Sequence, residues 1–213
     1  MCWNPTVSIG TFVFTCVTLV FIYVTNTFTA YKIPLLNHPF AYVFIFAVAC
    51  IQLVEFFLWN NLDHFARNTF FSKIAAWLII VQQVSLMMMI PTPAIRSNML
   101  LVYALYLLVY SFYRTQYNPI KFHTHVGANG HLSWEWMNYK GYENIWLVVG
   151  LLFYIVPVLL IRNVTLIALV IPMLLASLFF YFKYDTFGSM WCWWSNLLFV
   201  YFIIHIIVQF ISK

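Results

Sequence analysis

The sequence predicts an all-α protein, a polytopic transmembrane bundle of seven helices that forms one domain over residues 1–213. Hydrophobic residues make up 64% of the chain and charged residues only 7%, and the mean hydropathy is +0.89. Soluble domains carry about 25% charged residues, so this composition indicates an integral membrane protein. Seven apolar stretches approach the roughly 20 residues that a helix needs to cross a bilayer.

The predicted spans are separated by residues that favour turns. Asn37 to Pro39 precede the second span, Pro91 to Pro93 follow the third, and Arg162-Asn163 joins the fifth and sixth. No basic segment precedes the first span and no cleavage site follows it, so we expect it to remain in the mature protein. The seven predicted spans are 7–24, 40–59, 71–90, 98–113, 145–161, 164–181 and 190–211.

Seven spans place the termini on opposite faces. We call face A the side with the N-terminus and the second, fourth and sixth loops, and face B the other side. Face A carries Arg67, Lys73, Arg114, Lys121, Lys140 and Lys183, and face B carries Lys32, Arg96, Arg162 and Lys213. The positive-inside rule therefore puts face A and the N-terminus in the cytoplasm. These charges are scattered singly, which does not indicate nucleic-acid binding.

Several polar residues lie within spans near face A. Gln52, Glu55 and Trp59 follow the i, i+3, i+7 spacing of one helical face. An intramembrane carboxyl costs roughly 2.5–3.5 kcal/mol on insertion scales, so we expect Glu55 to face the bundle and to have a polar partner. The candidate partners are the polar face of the last span, the tyrosines of the fourth span and the histidine-rich loop. The polar face of the last span consists of Cys192, Ser195 and Asn196.

Two rows of hydroxyl side chains follow helical spacing. Lipid offers them no hydrogen-bond partner, so we expect them to face other helices or a hydrated cavity, and packing alone is the open alternative. The rows are Asn4, Ser8, Thr11, Thr15 and Thr18 in the first span, and Tyr103, Tyr106, Tyr110, Tyr113 and Tyr117 in the fourth. The predicted ligand-binding residues near face A are Gln52, Tyr110, Tyr113, Cys192, Ser195 and Asn196.

The loop from Phe122 to Trp136 holds three of the six histidines. In an extended segment His123 and His125 point the same way, and in a helical turn His131 and Glu135 share a face. Such a set suits zinc, although the spacing matches no established signature. A hydrolase in which the metal activates water and Glu55 or Glu135 acts as the catalytic base is therefore one hypothesis.

Other cofactors and sites find less support in the sequence. The seventh span has no internal lysine for a retinal Schiff base, and only His205 lies well inside a span, so no haem is expected. Cys192 is an alternative nucleophile, but no histidine lies near it in the sequence. Asn163 begins the single allowed Asn-x-Ser/Thr sequon, and we expect it to stay mostly unmodified because its turn lies against the membrane.

Four segments carry a resemblance to a known family: Met1-Cys2-Trp3, Gln52 to Trp59, Asn129 to Trp136, and Gly188 to Trp193 with its Trp191-Cys192-Trp193. In these segments the chain resembles a family of small seven-span membrane proteins from algae, protists and large DNA viruses. The resemblance implies seven spans and a viral or protist origin, and it implies no activity. Two hypotheses stay open: a membrane protein with a pocket for a metal or small ligand, and a non-catalytic structural component of a virion or host membrane.

Overall fold

The computed structural model describes residues 4–212. Eight α-helices and one short β-hairpin make up the regular structure of this part of the chain, with single 3₁₀ turns between some of them. The elements are α1 (Pro5–Phe28), α2 (Pro39–Trp59), α3 (Phe65–Met88), α4 (Pro93–Gln116), β1 (Thr124–Val126), β2 (Leu132–Trp134), α5 (Asn144–Ile161), α6 (Val164–Tyr181), α7 (Phe187–Trp194) and α8 (Leu197–Ile211).

The all-α, seven-span prediction is confirmed. Seven helical segments are long and apolar enough to cross a bilayer, and α7 and α8 together form the seventh. The fourth span, predicted to be the shortest at 98–113, is instead the 24-residue α4. The helix extends past its apolar window because Pro93 suits a first helical turn and Arg114 suits a last one.

The seventh span is not one continuous helix. It breaks at Ser195-Asn196, between α7 and α8. There Ser195 Oγ donates to the Trp191 carbonyl (2.8 Å), and Asn196 Nδ2 donates to the carbonyls of Cys192 (3.3 Å) and Trp193 (2.9 Å). These side chains supply donors to the last carbonyls of α7, which the lipid could not do.

Helix α2 lies at the centre of the bundle, packed against α1 and α3, and α4 lies at its edge. The buried share of the most apolar window is 61% in α2 but only 6% in α4. Lipid or another molecule must therefore cover most of α4, whereas α2 is covered by protein.

The hairpin on face A pairs β1 and β2 in antiparallel register, with His125 opposite Ser133. The helical turn predicted over His131–Glu135 is wrong in this region, because Leu132–Trp134 is a strand. Gly130 takes a φ of +78°, which lets the chain reverse, and the Gly127 amide then donates to the His131 carbonyl at 2.7 Å. Backbone pairing with β1 thus overrides the helical spacing.

Helix α3 holds the hairpin from one side. The Asn68 amide accepts from Thr124 N and donates to Thr124 O, both at 2.8 Å, and Ser72 Oγ contacts Thr124 Oγ1 at 2.8 Å. All three side chains are buried. The Asn68 amide therefore takes the place of a neighbouring strand at the edge of β1.

Helix α7 holds the hairpin from the other side. A Cβ on Gly188 would lie 2.9 Å from Met137 Sδ and 3.0 Å from the Trp134 ring, so only glycine lets α7 approach this closely. Asn129 Nδ2 also donates to Thr186 Oγ1 at 2.9 Å, just before α7. The hairpin is a packed part of the bundle rather than a free loop.

Candidate functional site

A cavity of about 610 Å³ lies between α3, α4 and α5 and reaches the segment that follows the hairpin. Its volume falls within the range of about 300–1,000 Å³ that is typical of small-molecule sites. Apolar and aromatic side chains line most of it. Ile120 and Phe122 on one side of the hairpin, and Trp136, Met137 and Tyr139 on the other, line its face A end.

The cavity opens sideways, where α3 and α4 face the surroundings. Trp77 on α3 and Leu108 on α4 both line it, yet their side chains are 66% and 67% exposed. These two residues lie in the middle parts of membrane-spanning helices. A molecule dissolved in the bilayer could therefore enter between them without crossing water.

The deep end of the cavity holds a paired polar group. Gln83 on α3 accepts from Tyr103 Oη at 2.5 Å and donates through Nε2 to the Gly150 carbonyl at 2.8 Å. This network ties α3, α4 and α5 together behind the cavity. Tyr103 Oη and Gln83 Nε2 thus each have a partner within the protein.

Tyrosines of α4 form one wall, as the row of hydroxyls predicted. Tyr106 Oη donates to the Trp146 carbonyl at 3.1 Å, and Tyr110 Oη lies 3.2 Å from Tyr139 Oη. Burial raises the pKa of the Tyr139 phenol well above its usual value, so Tyr139 stays neutral at physiological pH. Tyr117, the last of the row, is 75% exposed.

Behind the cavity lies a buried polar cluster around Glu55. The Glu55 side chain is fully buried and accepts from Ser189 Oγ at 2.7 Å. Cys192 lies close enough to Glu55 and Gln82 for the side chains to interact. The prediction that Glu55 faces the bundle and has a polar partner is confirmed: Ser189, which was not among the candidates, donates to it, and Cys192, which was, lies close to it.

Tyr154 connects this cluster to the cavity. Its ring lines the cavity, and its hydroxyl donates to Gln82 Oε1 at 3.0 Å. Gln52, one turn from Glu55 on α2, is also fully buried. Neither Gln52 nor Glu55 lines the cavity itself.

The other predicted ligand-binding residues are divided between these places. Tyr110 lines the cavity, and Cys192 belongs to the buried cluster. Tyr113 donates instead to Glu143 Oε1 at 3.2 Å, outside the cavity. Ser195 and Asn196 bond the backbone at the end of α7.

The three histidines of the loop are not brought together. His125 Nδ1 lies 3.6 Å from Glu135 Oε1, His123 packs near the Phe65 ring, and buried His131 meets the Tyr181 ring edge-on. Within residues 4–212 no three His, Cys, Asp or Glu side chains are grouped so that they could hold a metal ion. The ligand set suggested for zinc is therefore not assembled in this part of the chain.

Three features of the site were missed at the level of sequence. The cavity lies beside α4, and the amino-acid composition does not reveal that so little of this helix is buried. Asn68 bonds the hairpin and Ser189 bonds Glu55, but in the sequence each is only a single polar residue near the start of a helix. The helical spacing of Asn68 and Ser72 in α3 was the signal available.

Comparisons of the chain with protein-family models, with curated proteins and with solved structures find no match. The fold and the site define an integral, multi-pass membrane protein whose seven apolar helices suit a lipid bilayer.

Proposed function

We propose that this protein binds, in the cavity between α3, α4 and α5, a small molecule with an apolar chain that enters from the bilayer. The observation that carries the proposal is the cavity itself: about 610 Å³, lined mainly by apolar and aromatic side chains. Its side opening between Trp77 and Leu108 supports entry from the membrane rather than from water.

The construction of the walls supports a binding site rather than loose packing. Gln83, Tyr103 and Gly150 bond one another at the deep end, and Tyr106 bonds the Trp146 carbonyl along the wall. These bonds fix the positions of three helices relative to one another, which supports walls of defined shape. Binding is proposed rather than hydrolysis because neither Glu55 nor Glu135 lines the cavity.

The test is photo-crosslinking in lipid vesicles with a long-chain alcohol that carries a diazirine group, followed by peptide mass spectrometry. We expect labelling of α3, α4 and α5 at residues that line the cavity, and competition by excess unlabelled dodecanol. Ala76→Trp should abolish this labelling because Ala76 lines the cavity and an indole would fill it.

Ala104→Trp is the matched control, since Ala104 lies on α4 and is exposed but does not line the cavity. Its labelling should equal that of the unchanged protein. Equal labelling of the Ala76→Trp variant would refute the proposal and leave a protein whose helices only pack and anchor.

A further inference from the structure

We propose that the ligand is an amphipathic anion that places its charged head beside Lys73 at the face A end of the cavity and its apolar chain toward Gln83. This inference rests on the proposed function and names the chemical class of its ligand. The head could be a carboxylate or a phosphate, since both present oxygen atoms with negative charge to an ammonium group.

The charge of the lining carries the inference. The chain has five acidic residues, and none of them lines the cavity. Lys73 is the single charged residue among those described that does. A cationic head would bring a positive charge to the Lys73 ammonium without a carboxylate to balance it.

The position of Lys73 sets the direction of the ligand. Lys73 lies eight residues into α3, or about 12 Å from its face A end, at a helical rise of about 1.5 Å per residue. Its Nζ lies 5.8 Å from the Phe122 ring centroid, and the side chain is exposed. The stem of such a lysine runs along apolar surface while the ammonium stays near the hydrated interface.

The deep end of the cavity, at Gln83, favours the apolar chain of the ligand over its charged head. Gln83 lies ten residues beyond Lys73 on α3, or about 15 Å deeper at the same rise. The Tyr103 hydroxyl donates to Gln83 Oε1, and Gln83 Nε2 donates to the Gly150 carbonyl, so both groups already have a partner within the protein. An anionic head placed there would lose its hydration without meeting a positive charge, so the head belongs at Lys73.

Arg114 does not compete for this role. Its side chain is buried, and it donates through Nε to the Asn118 carbonyl at 2.7 Å and through Nη1 to Tyr110 Oη at 3.4 Å. Asn118 in turn donates to Glu143 Oε1 at 2.6 Å, so an acid in the same network offsets this guanidinium. Lys73 therefore supplies the charge that faces the cavity.

The experiment compares three probes of equal chain length in neutral-lipid vesicles at pH 8.5: dodecanoate, dodecyl phosphate and dodecanol. Each probe competes with the photo-crosslinking alcohol, and the probe concentration that halves the labelling gives its relative affinity. We expect at least one of the two anions to bind about tenfold tighter than dodecanol, and the better anion identifies the head. Lys73→Gln should remove this preference, and Lys73→Arg should keep most of it.

Lys121→Gln is the matched control, because Lys121 is an exposed lysine that, like Lys73, lies toward face A but does not line the cavity. It should keep the preference for the anion. Equal affinities of all three probes, or a loss as large in Lys121→Gln as in Lys73→Gln, would overturn the inference while the proposed function stands. Absence of competition by every probe, dodecanol included, would overturn both.

Discussion

Replacement of Asn68 by alanine should release the hairpin from α3. The change removes two hydrogen bonds to the Thr124 backbone at 2.8 Å and one from Ser72 Oγ at 3.3 Å. A typical hydrogen bond contributes about 1 kcal/mol net, and each buried backbone group left without a partner costs about 1–3 kcal/mol. We therefore expect the free energy of unfolding to fall by about 3–5 kcal/mol.

Two measurements check this expectation. Unfolding in mixed micelles gives the change in stability, and hydrogen exchange reports whether the hairpin amides lose protection before the helices do. Asn68→Asp is informative because an ionised carboxylate still accepts from Thr124 N but cannot donate to its carbonyl. It should destabilise the hairpin as well, since Thr124 O loses its donor in a buried site.

Asn60→Ala provides the control. Asn60 is exposed at the end of α2 and bonds only its own helix, at the Phe56 carbonyl, among the side-chain contacts of the described residues. Its loss should cost less than about 1 kcal/mol. If Asn68→Ala were no more destabilising than Asn60→Ala, or left hairpin exchange unchanged, the role assigned to this amide would be wrong.

Burial lowers the pKa of His131 from 6.5, so the unfolded chain takes up a proton at that residue more readily than the folded one. The contribution of neutral His131 to stability should therefore be complete above about pH 6.5 and should decrease as the pH drops below that value. In thermal melts, the midpoint of His131→Gln should fall less between neutral pH and pH 5 than the midpoint of the unchanged protein. Gly188→Val should destabilise the protein by about 1–3 kcal/mol through overpacking against Trp134, as measured by unfolding in micelles, and an unchanged midpoint would contradict that packing. Tags on the two termini should be accessible from opposite sides of sealed vesicles, and protection of both from the same side would contradict seven spans. Asn163 should stay unglycosylated when expressed in a eukaryotic membrane, because its side chain accepts from Leu166 N at 2.9 Å as the cap of α6; a glycosidase-sensitive mass shift lost in Asn163→Gln would refute this.

The seven spans could be predicted because the bilayer imposes one length and one polarity on every segment that crosses it. The ends of α4 could not be predicted in this way, because a helix can continue beyond its apolar segment into the membrane interface, where polar residues can form its first and last turns. Arg114 is an example: it closes the last turn of α4 although its charge lies outside the apolar window.

The candidate site was predictable only in part. The energetic cost of an intramembrane acid correctly placed Glu55 inside the bundle, and helical spacing correctly turned Tyr103, Tyr106 and Tyr110 toward protein. Which side chain meets Glu55 depends on how α7 approaches α2, and that approach depends on packing between residues far apart in sequence. The histidine loop was misjudged locally because strand pairing, which needs a partner segment, has no signal within the three residues of β2.

The position of the hairpin between α3 and α7 has a consequence for biogenesis. Its contacts on one side are made by a helix that is synthesised before it, and on the other side by a helix that is synthesised after it. While α7 is still in the ribosome, the side of Trp134 that packs on Gly188 has no cover, and a large aromatic surface faces the aqueous phase. A nascent chain arrested before the last span should therefore be a substrate for chaperones at face A, and insertion of α7 should end that recognition.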